Sequence, residues 1–415
     1  MMNFDPHHVR TLAIHLKGRA VGIMHRLVGD QYLFAFEQEY MDDRNRPTLS
    51  LSFKTQAGTL MHSTRIVNLR LPPFFSNLLP EGHLRTYLAK RAHVKQEREF
   101  FLLAVLGADL PGAVTATVLD ADKNFDLELS QDEANLQSSS ILRFSLAGVQ
   151  LKFSAIEEAS GGLTIPAHGM GGSWIIKLPS TRFDHVPENE YVMLALAESI
   201  GIRVPRHRLI DLKEIRDLPK DVSSIQGRAL MIERFDRSPE GAIHMEDFAQ
   251  VFGLFPDKKY DYKSYANIAR VLWAETTEAD LYEFVRRLTF AVSIGNADLH
   301  LKNCSLLYPD GKTPRLSPAY DLVSTLPYLP NDRMALNFGG SRSLEEITNN
   351  QILRFAKTAR IPPATLPEII LETLERTTDA WKKSEAKDLL PKTMQKIIAT
   401  QIQTVALRTL CGIRG

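Results

Sequence analysis

Two kinds of periodicity alternate along the chain. "TLAIHLKGRAVGIM" (11–24) and "QYLFAFEQEY" (31–40) are rich in β-branched and aromatic residues, and "NRPTLSLSF" (45–53) alternates apolar with polar. All three stretches predict short strands. In "LPPFFSNLLPEGHLRTYLAKRAHV" (71–94) Leu78, Leu79, Leu84, Tyr87 and Leu88 recur at helical intervals. An acidic, serine-ended stretch, "DADKNFDLELSQDEANLQSSS" (120–140), has the composition of a surface connection and marks a domain boundary near residue 140. From 141 to 236 the pattern predicts strand, loop, strand, helix, strand. "RFSLAGVQLKFSA" and "SWIIKLP" flank the glycine-rich "SGGLTIPAHGMGG", "ENEYVMLALAESIG" reads as a helix ended by Gly201, and "RALMIERFDR" is an apolar strand that breaks into charge. Beyond 237 helical periodicity dominates. The exception is a hairpin-like interruption at 304–325, where "CSLLY" and "PRLSPAYDL" flank the turn signal "PDGK". No internal repeat of fixed period is evident.

This order gives three segments: 1–140, strand-rich; 141–236, small and mixed α/β; and 237–415, large and mostly helical. The fold class expected is therefore α+β. A small mixed part followed by a large helical one is the outline of a two-lobed kinase, although other folds share it. A length of 415 residues fits two or three such units, and 44% hydrophobic with 24% charged residues is an ordinary globular composition. The net charge of +1 excludes a polycation built to coat nucleic acid. Cys304 and Cys411 fit no disulfide or metal spacing and suit a reducing compartment. "MMNFDPHHVR" lacks the apolar core of a signal peptide, and the apolar stretch "FFLLAVLGADLPGAV" meets Asp109 before reaching spanning length. A cytoplasmic protein without a membrane segment is the expectation.

The candidate chemistry lies in "GNADLHLKN" (295–303), at the end of an apolar helical run. Asp298 and Asn303 stand five apart, and Asp321 follows in "AYDLVS". Phosphoryl transfer from ATP needs a cation on the phosphates, a carboxylate to orient and deprotonate the attacking hydroxyl, and groups that hold Mg²⁺. The D-x-x-x-x-N spacing sets both polar heads at the mouth of one loop, with Asp298 as candidate base and Asn303 as metal ligand. Lys302 is placed to neutralise charge on the transferring phosphate. A hairpin returning to the same place offers Asp321 as the second metal ligand, and Mg²⁺ needs no more than one or two carboxylates beside water and phosphate. The plainer reading of the six residues alone is a helix cap and a closed turn, and Asp321 after the hairpin weighs against it.

Lys177 lies in the apolar strand "WIIKLP", where a lysine is costly to bury unless paired. An ATP phosphate and a carboxylate of the next helix, Glu188 or Glu190, would pair it. In "MIERFDR", backbone groups of Glu233 and Phe235 are placed to meet an adenine at a lobe hinge. "SLAGVQLK" is a candidate phosphate loop with a single glycine, Gly148, and as a plain strand it would hold a small-residue bulge. His7, His8, His62, His83 and His93 show no ligand spacing. The lysines between Trp381 and Lys396 read first as a solvated helix face and second as a nucleic-acid contact.

Together these motifs resemble one family, the HipA-type serine/threonine kinases, toxins of bacterial type II toxin–antitoxin pairs. The resemblance rests on "FFSNLLPEG" and "LGADLPGAVT" in the N-terminal part. In the remainder it rests on "FSLAGVQLK", "WIIKLP", "ENEYVMLALAESIGI", "ALMIERFDR", "NADLHLKN" and "SPAYDLVS". It implies a HipA-like, two-lobed protein-kinase-like fold behind a strand-rich N-terminal subdomain. It implies Asp298 as catalytic base, Asn303 and Asp321 on Mg²⁺, and Lys177 on the ATP phosphates. Ala147, Gly148, Val149, Gln150, Leu151 and Lys152 would line the nucleotide. Glu233, Arg234, Phe235, His300, Leu301, Lys302, Asn303, Tyr320 and Asp321 would border it. Ser145 matches the family's autophosphorylated serine, and a phosphate there adds nearly two negative charges that would repel nucleotide. The resemblance also implies a small helix-turn-helix (HipB-like) antitoxin as partner, operator DNA reached mainly through that antitoxin, and an aminoacyl-tRNA synthetase as protein substrate.

Overall fold

The structure is a computed structural model that describes residues 9–55, 58–92, 94–119, 152–157, 163–164, 172–180, 182–216 and 226–414. Ser145 and the loop residues Ala147 to Leu151 lie outside the described residues. Contacts divide the chain into two compact units. The first comprises Met1–Leu178, Asp211–Gly227 and Asp236–Pro256; the second comprises Pro179–Ile210, Arg228–Phe235 and Asp257–Gly415.

The first unit opens on an antiparallel meander. Strands β1 (Thr11–Leu16), β2 (Arg19–Leu27), β3 (Gln31–Phe36), β4 (Val67–Asn68) and β5 (Val114–Val118) make one sheet in the order β4-β3-β2-β1-β5. Gly18 (φ +77°) and Gly29 (φ +76°) supply the left-handed backbone at the two tight turns. Leu12, Ile14, Leu16, Val21, Met24 and Phe34 are buried, and an aromatic cluster of Phe34, Phe36, Phe53, Phe74 and Phe75 fills the space beside them.

The strands foreseen for 11–36 form, but the one foreseen for 45–53 does not. The chain after Phe36 makes a short helix, Gln38–Asp42, and then a single 3-10 turn, Leu51–Phe53. Pro47 has no N–H to give a ladder. The fully buried carboxylate of Glu246 takes the Ser50 hydroxyl at 2.5 Å and the Leu51 N–H at 3.0 Å, so those donors are committed away from a sheet. The segment after 237 likewise departs from helical expectation. Arg237–Ser238, Gly241–Ala242 and His244–Asp247 are short strands before the helix Phe248–Val251. This segment belongs to the first unit, where Asp236 accepts the Gly112 N–H at 2.8 Å and Gln250 donates to the Phe74 carbonyl at 3.0 Å.

The second unit is built around the helix Val186–Ser199, the strands His207–Asp211 and Arg228–Glu233, and five longer helices. These helices are Tyr265–Glu275, Glu278–Ser293, Asn349–Ala359, Leu366–Lys383 and Lys392–Arg414. One core joins the helices Val186–Ser199, Glu278–Ser293, Leu366–Lys383 and Lys392–Arg414 to the strand Arg228–Glu233 through Val192, Leu196, Leu230, Phe290, Ile294, Leu322, Trp381 and Ile398. The helix Val186–Ser199 stops at Gly201 (φ +89°), as its sequence predicts. The lysine-rich stretch is largely engaged within the chain: Lys387 donates to the carbonyls of Trp381 and Lys382 at a helix end, and Lys392 pairs with Asp388. No helix among the described residues is long and apolar enough to cross a membrane.

Two buried groups test the first unit. Glu99, 3% exposed, accepts the Leu71 N–H at 2.8 Å, the Ser76 hydroxyl at 2.9 Å and Arg85 at 3.2 Å. Glu99→Ala leaves a buried N–H without its acceptor, and we expect about 3 kcal/mol of lost stability by denaturant titration. His244 is fully buried against the Leu49 carbonyl at 2.8 Å, and burial pushes its pKa down to about 4. Its neutral form is the native one, so its contribution is complete above the ordinary value near 6.5 and is lost as pH falls toward 4. The thermal midpoint should drop across that window, with a flatter profile in His244→Gln.

Candidate active site

The site begins where a helix stops. Thr277 caps the start of Glu278–Ser293 by accepting the Asp280 N–H at 3.3 Å. The far end closes at Gly295 (φ +68°), where a Cβ would come within 2.5 Å of Leu326 Cδ1. Only glycine fits that backbone and that approach. The chain then leaves the helix without entering a strand until Ser305, so its polar backbone groups need other partners. Side chains supply them. Asn296 Oδ1 accepts the Asp298 N–H at 2.8 Å, Thr325 Oγ1 accepts the Ala297 N–H at 3.0 Å, and Asn303 Nδ2 donates to the Asp298 carbonyl at 2.8 Å. His300 Nδ1 accepts the Lys302 N–H at 3.2 Å and starts the 3-10 turn Leu301–Asn303.

The hairpin after this loop joins Ser305–Tyr308 to Arg315–Leu316. Its turn is held by Asp310, which accepts the N–H groups of Lys312 and Thr313. It returns the chain as the sequence predicts: the Tyr320 hydroxyl donates to the Lys302 carbonyl at 2.8 Å, and its ring lies 5.4 Å from that of Phe235. Asp321 follows in left-handed backbone (φ +54°), a conformation aspartate tolerates better than most residues. The next stretch is clamped by Asn189 of the helix Val186–Ser199. Its Nδ2 donates to the Ser324 carbonyl at 2.9 Å and its Oδ1 accepts the Ser324 N–H at 3.1 Å.

Asp298 is exposed to solvent, yet enough protein surrounds it to desolvate its carboxylate. That desolvation raises its pKa above the usual aspartate value; Asp321 and Asp332 push the same way. The Tyr260 hydroxyl, which donates to Asp298 Oδ1 at 2.7 Å, and the Lys259 charge oppose the rise. Oδ2 accepts no hydrogen bond among the described residues. The second unit thus brings together Asp298, His300, Leu301, Lys302, Asn303, Tyr320 and Phe235 by contact, and Asp321 by its electrostatic effect on Asp298. Leu301 is wholly buried, which leaves only its main chain for a ligand.

Glu233 is tied by both carboxylate oxygens to Arg206 at 2.7 Å each, which lowers its pKa, and Arg234 is buried at 1% exposure. Glu188 accepts from Arg228 at 3.2 Å, and Glu190 is 1% exposed. In the first unit, β6 (Lys152–Glu157), β7 (Leu163–Thr164) and β8 (Trp174–Lys177) join Ile215–Arg216 in the order Ile215–Arg216, β7, β6, β8. The antiparallel β6–β8 register sets Lys152 directly opposite Lys177, and both are buried. Like charges at one register position are unfavourable unless anionic groups face them. Both lysines have interaction partners within the chain.

The donor set also suits Mg²⁺. Asn303 spends its Nδ2 on the Asp298 carbonyl, and its Oδ1 accepts nothing among the described residues; Asp321 adds a carboxylate. No group of three or more histidine, cysteine, aspartate or glutamate side chains that could hold a metal is found among the described residues, and the oxygen donors of Asn303 and Asp321 are of the type a hard ion takes beside water and phosphate oxygens. Sequence reasoning missed Tyr260, Asn189, Asn296 and Thr325. Asn296 stands inside the quoted motif, whereas the other three act on it from elsewhere in the chain and carry no local spacing.

A mixed α/β fold presenting an Asp–Asn pair on one loop and a second aspartate after a hairpin is a protein-kinase-like fold. Residues 144–381 match the HipA-like C-terminal domain and residues 12–117 the HipA N-terminal domain, and the chain belongs to the HipA family. It is 48% identical over 403 residues to "Putative kinase Y4dM" of Sinorhizobium fredii, covering 96% of this chain and 98% of that one. It is 30% identical to "Putative kinase Y4mE" of the same organism, covering 90% and 91%. Among solved structures it resembles HipA of Shewanella oneidensis MR-1, determined with HipB and its operator DNA. That match has a TM-score of 0.70 and 21% identity and covers 96% of each chain.

The Asn189 clamp is testable by stability. Asn189→Leu strands a buried N–H and a buried carbonyl of Ser324 together, so the second unit should lose about 2–4 kcal/mol in chemical denaturation.

Proposed function

We propose that this protein is an ATP- and Mg²⁺-dependent serine/threonine-protein kinase acting as the toxin of a type II toxin–antitoxin pair. The observation that carries the reading is the Asp298 carboxylate, held at Oδ1 with Oδ2 open, on a loop whose Asn303 is bonded to its main chain. In the reaction Asp298 orients the acceptor hydroxyl and takes its proton as the hydroxyl oxygen bonds to the γ-phosphorus and the bond to ADP breaks. Lys302, buried four residues after the base, would offset charge on the transferring group. Asn303 and Asp321 would hold Mg²⁺, which neutralises charge on the phosphates. By the family resemblance, Lys177 would serve the phosphates, the segment Ala147 to Lys152 would line the nucleotide and Glu233 to Phe235 would border its base.

The functional parts proposed are an N-terminal subdomain to residue 140, a kinase N-lobe over 141–236 and a mostly helical C-lobe over 237–415, although Asp236–Pro256 groups by contacts with the first unit. Autophosphorylation at Ser145 silences the enzyme by placing negative charge beside the nucleotide phosphates. Its restraining partner is a small helix-turn-helix antitoxin, through which it reaches operator DNA, and its target is an aminoacyl-tRNA synthetase in the cytoplasm. The Shewanella neighbour, solved with HipB and operator DNA, supports the partner, and the family membership supports the rest.

The test is the intact mass of the full chain, shown to start unphosphorylated, after incubation with Mg²⁺ and ATP. The wild type should gain a phosphate that maps to Ser145, and Asp298→Asn should gain it roughly 10²–10⁴-fold more slowly while keeping its melting midpoint. Asp321→Ala should weaken Mg²⁺-dependent nucleotide binding at least tenfold. A wild type that neither gains phosphate nor binds nucleotide would leave a kinase-shaped corepressor that holds an antitoxin on DNA.

A further inference from the structure

A carboxylate that serves as a general base has two oxygens, and only one can receive the acceptor's proton. The other decides how the group is turned. In this chain that second oxygen has a partner from outside the motif. The Tyr260 hydroxyl donates to Asp298 Oδ1 at 2.7 Å, and Oδ2 accepts no hydrogen bond among the described residues.

Tyr260 is itself fixed on several sides. The carbonyl before it, of Lys259, accepts the Leu301 N–H at 3.3 Å, which ties its main chain to the loop that carries Asp298. Its own carbonyl accepts from Arg342 Nη2 at 3.2 Å. The ring meets the His300 ring edge-on, with centroids 5.1 Å apart, and the Lys259 ammonium lies 5.6 Å from its centroid. Tyr262, two residues on, is 75% exposed in left-handed backbone (φ +63°) and Tyr260 is itself 38% exposed, so the stretch is a surface turn in which Tyr260 turns its hydroxyl onto Asp298. A tyrosine held only to pack would not need its hydroxyl against the one carboxylate on this loop.

We infer that Tyr260 is a positioning residue for phosphoryl transfer, holding Asp298 by Oδ1 so that Oδ2 is the oxygen presented to the acceptor hydroxyl. The inference rests on the reading of Asp298 as base. Near-attack geometry is steep, and a misplacement of about an ångström costs on the order of 100-fold in rate. Loss of the hydroxyl with the ring retained should therefore slow transfer about 10- to 100-fold without touching nucleotide affinity.

The experiment uses the full chain with ATP and Mg²⁺ and follows phosphate gain by intact mass under single-turnover conditions. It compares wild type, Tyr260→Phe, Asp298→Asn, the double variant and Tyr262→Phe. The expected result is a 10- to 100-fold lower maximal rate for Tyr260→Phe, with half-saturating ATP and melting midpoint unchanged within twofold and 2 °C respectively, both set at about the usual scatter of surface substitutions. Tyr262→Phe should match wild type. In the Asp298→Asn background Tyr260→Phe should cost nothing further, since a residue acting only through the carboxylate has no separate effect. An unchanged or faster Tyr260→Phe, or losses that multiply in the double variant, overturns the inference and leaves the kinase reading standing. A wild type that transfers no phosphate overturns both.

Discussion

The carbonyl of Asp298 receives two hydrogen bonds, from the His300 N–H and from Asn303 Nδ2, both at 2.8 Å. Much of the second unit's chemistry depends on this one acceptor. It closes the loop between the end of a helix and the start of a strand into a rigid ring, and it couples the residue proposed to move a proton to the residue proposed to hold a metal ion. Regular structure could not do this. Inside a helix Asp298 would have its carbonyl spent on the ladder, and inside a strand its neighbours would alternate to opposite faces. A loop whose backbone is satisfied by side chains leaves each working group free to point where chemistry needs it.

The same device recurs wherever the backbone is irregular. Glu99 serves the amide of Leu71, Glu246 the amide of Leu51, Asp236 the amide of Gly112, and Glu283 the amide of Arg203. Each carboxylate is buried and takes a further donor besides the amide or stands beside an arginine, which makes its burial tolerable. Buried acids act in this protein as brackets for segments that neither helix nor sheet can organise.

How much of this the sequence discloses follows from the range over which each signal acts. The meander at 11–36, the helix over 186–199 and the hairpin turn at Asp310 are written in neighbouring residues, and they form as their patterns predict. The alternation at 45–53 is equally clear but yields a 3-10 turn, because the Leu51 amide and the Ser50 hydroxyl are claimed by Glu246, almost two hundred positions later. The site divides the same way. Asp298, Asn303 and Asp321 are legible by spacing, and their assembly with Tyr320 and His300 follows. Tyr260, Thr325 and Asn189 are not, because a hydrogen bond between distant residues leaves no period in the chain.

The bracket formed by residues 236–256 also sets a schedule. The first unit is discontinuous: its meander is complete by residue 118, yet Ser50, Leu51, Phe74, Asn77 and Gly112 each take a hydrogen-bond partner from Asp236, Glu246, Gln250 or Leu254. A chain made from its N-terminus at about 5–20 residues per second carries that half-finished unit for several seconds before the missing pieces leave the ribosome. During that interval Phe74 of the aromatic cluster lacks its His244 neighbour. The first unit is therefore completed late, by a segment made after the strand Arg228–Glu233 of the second, while the loop that bears Asp298 is still to be synthesised.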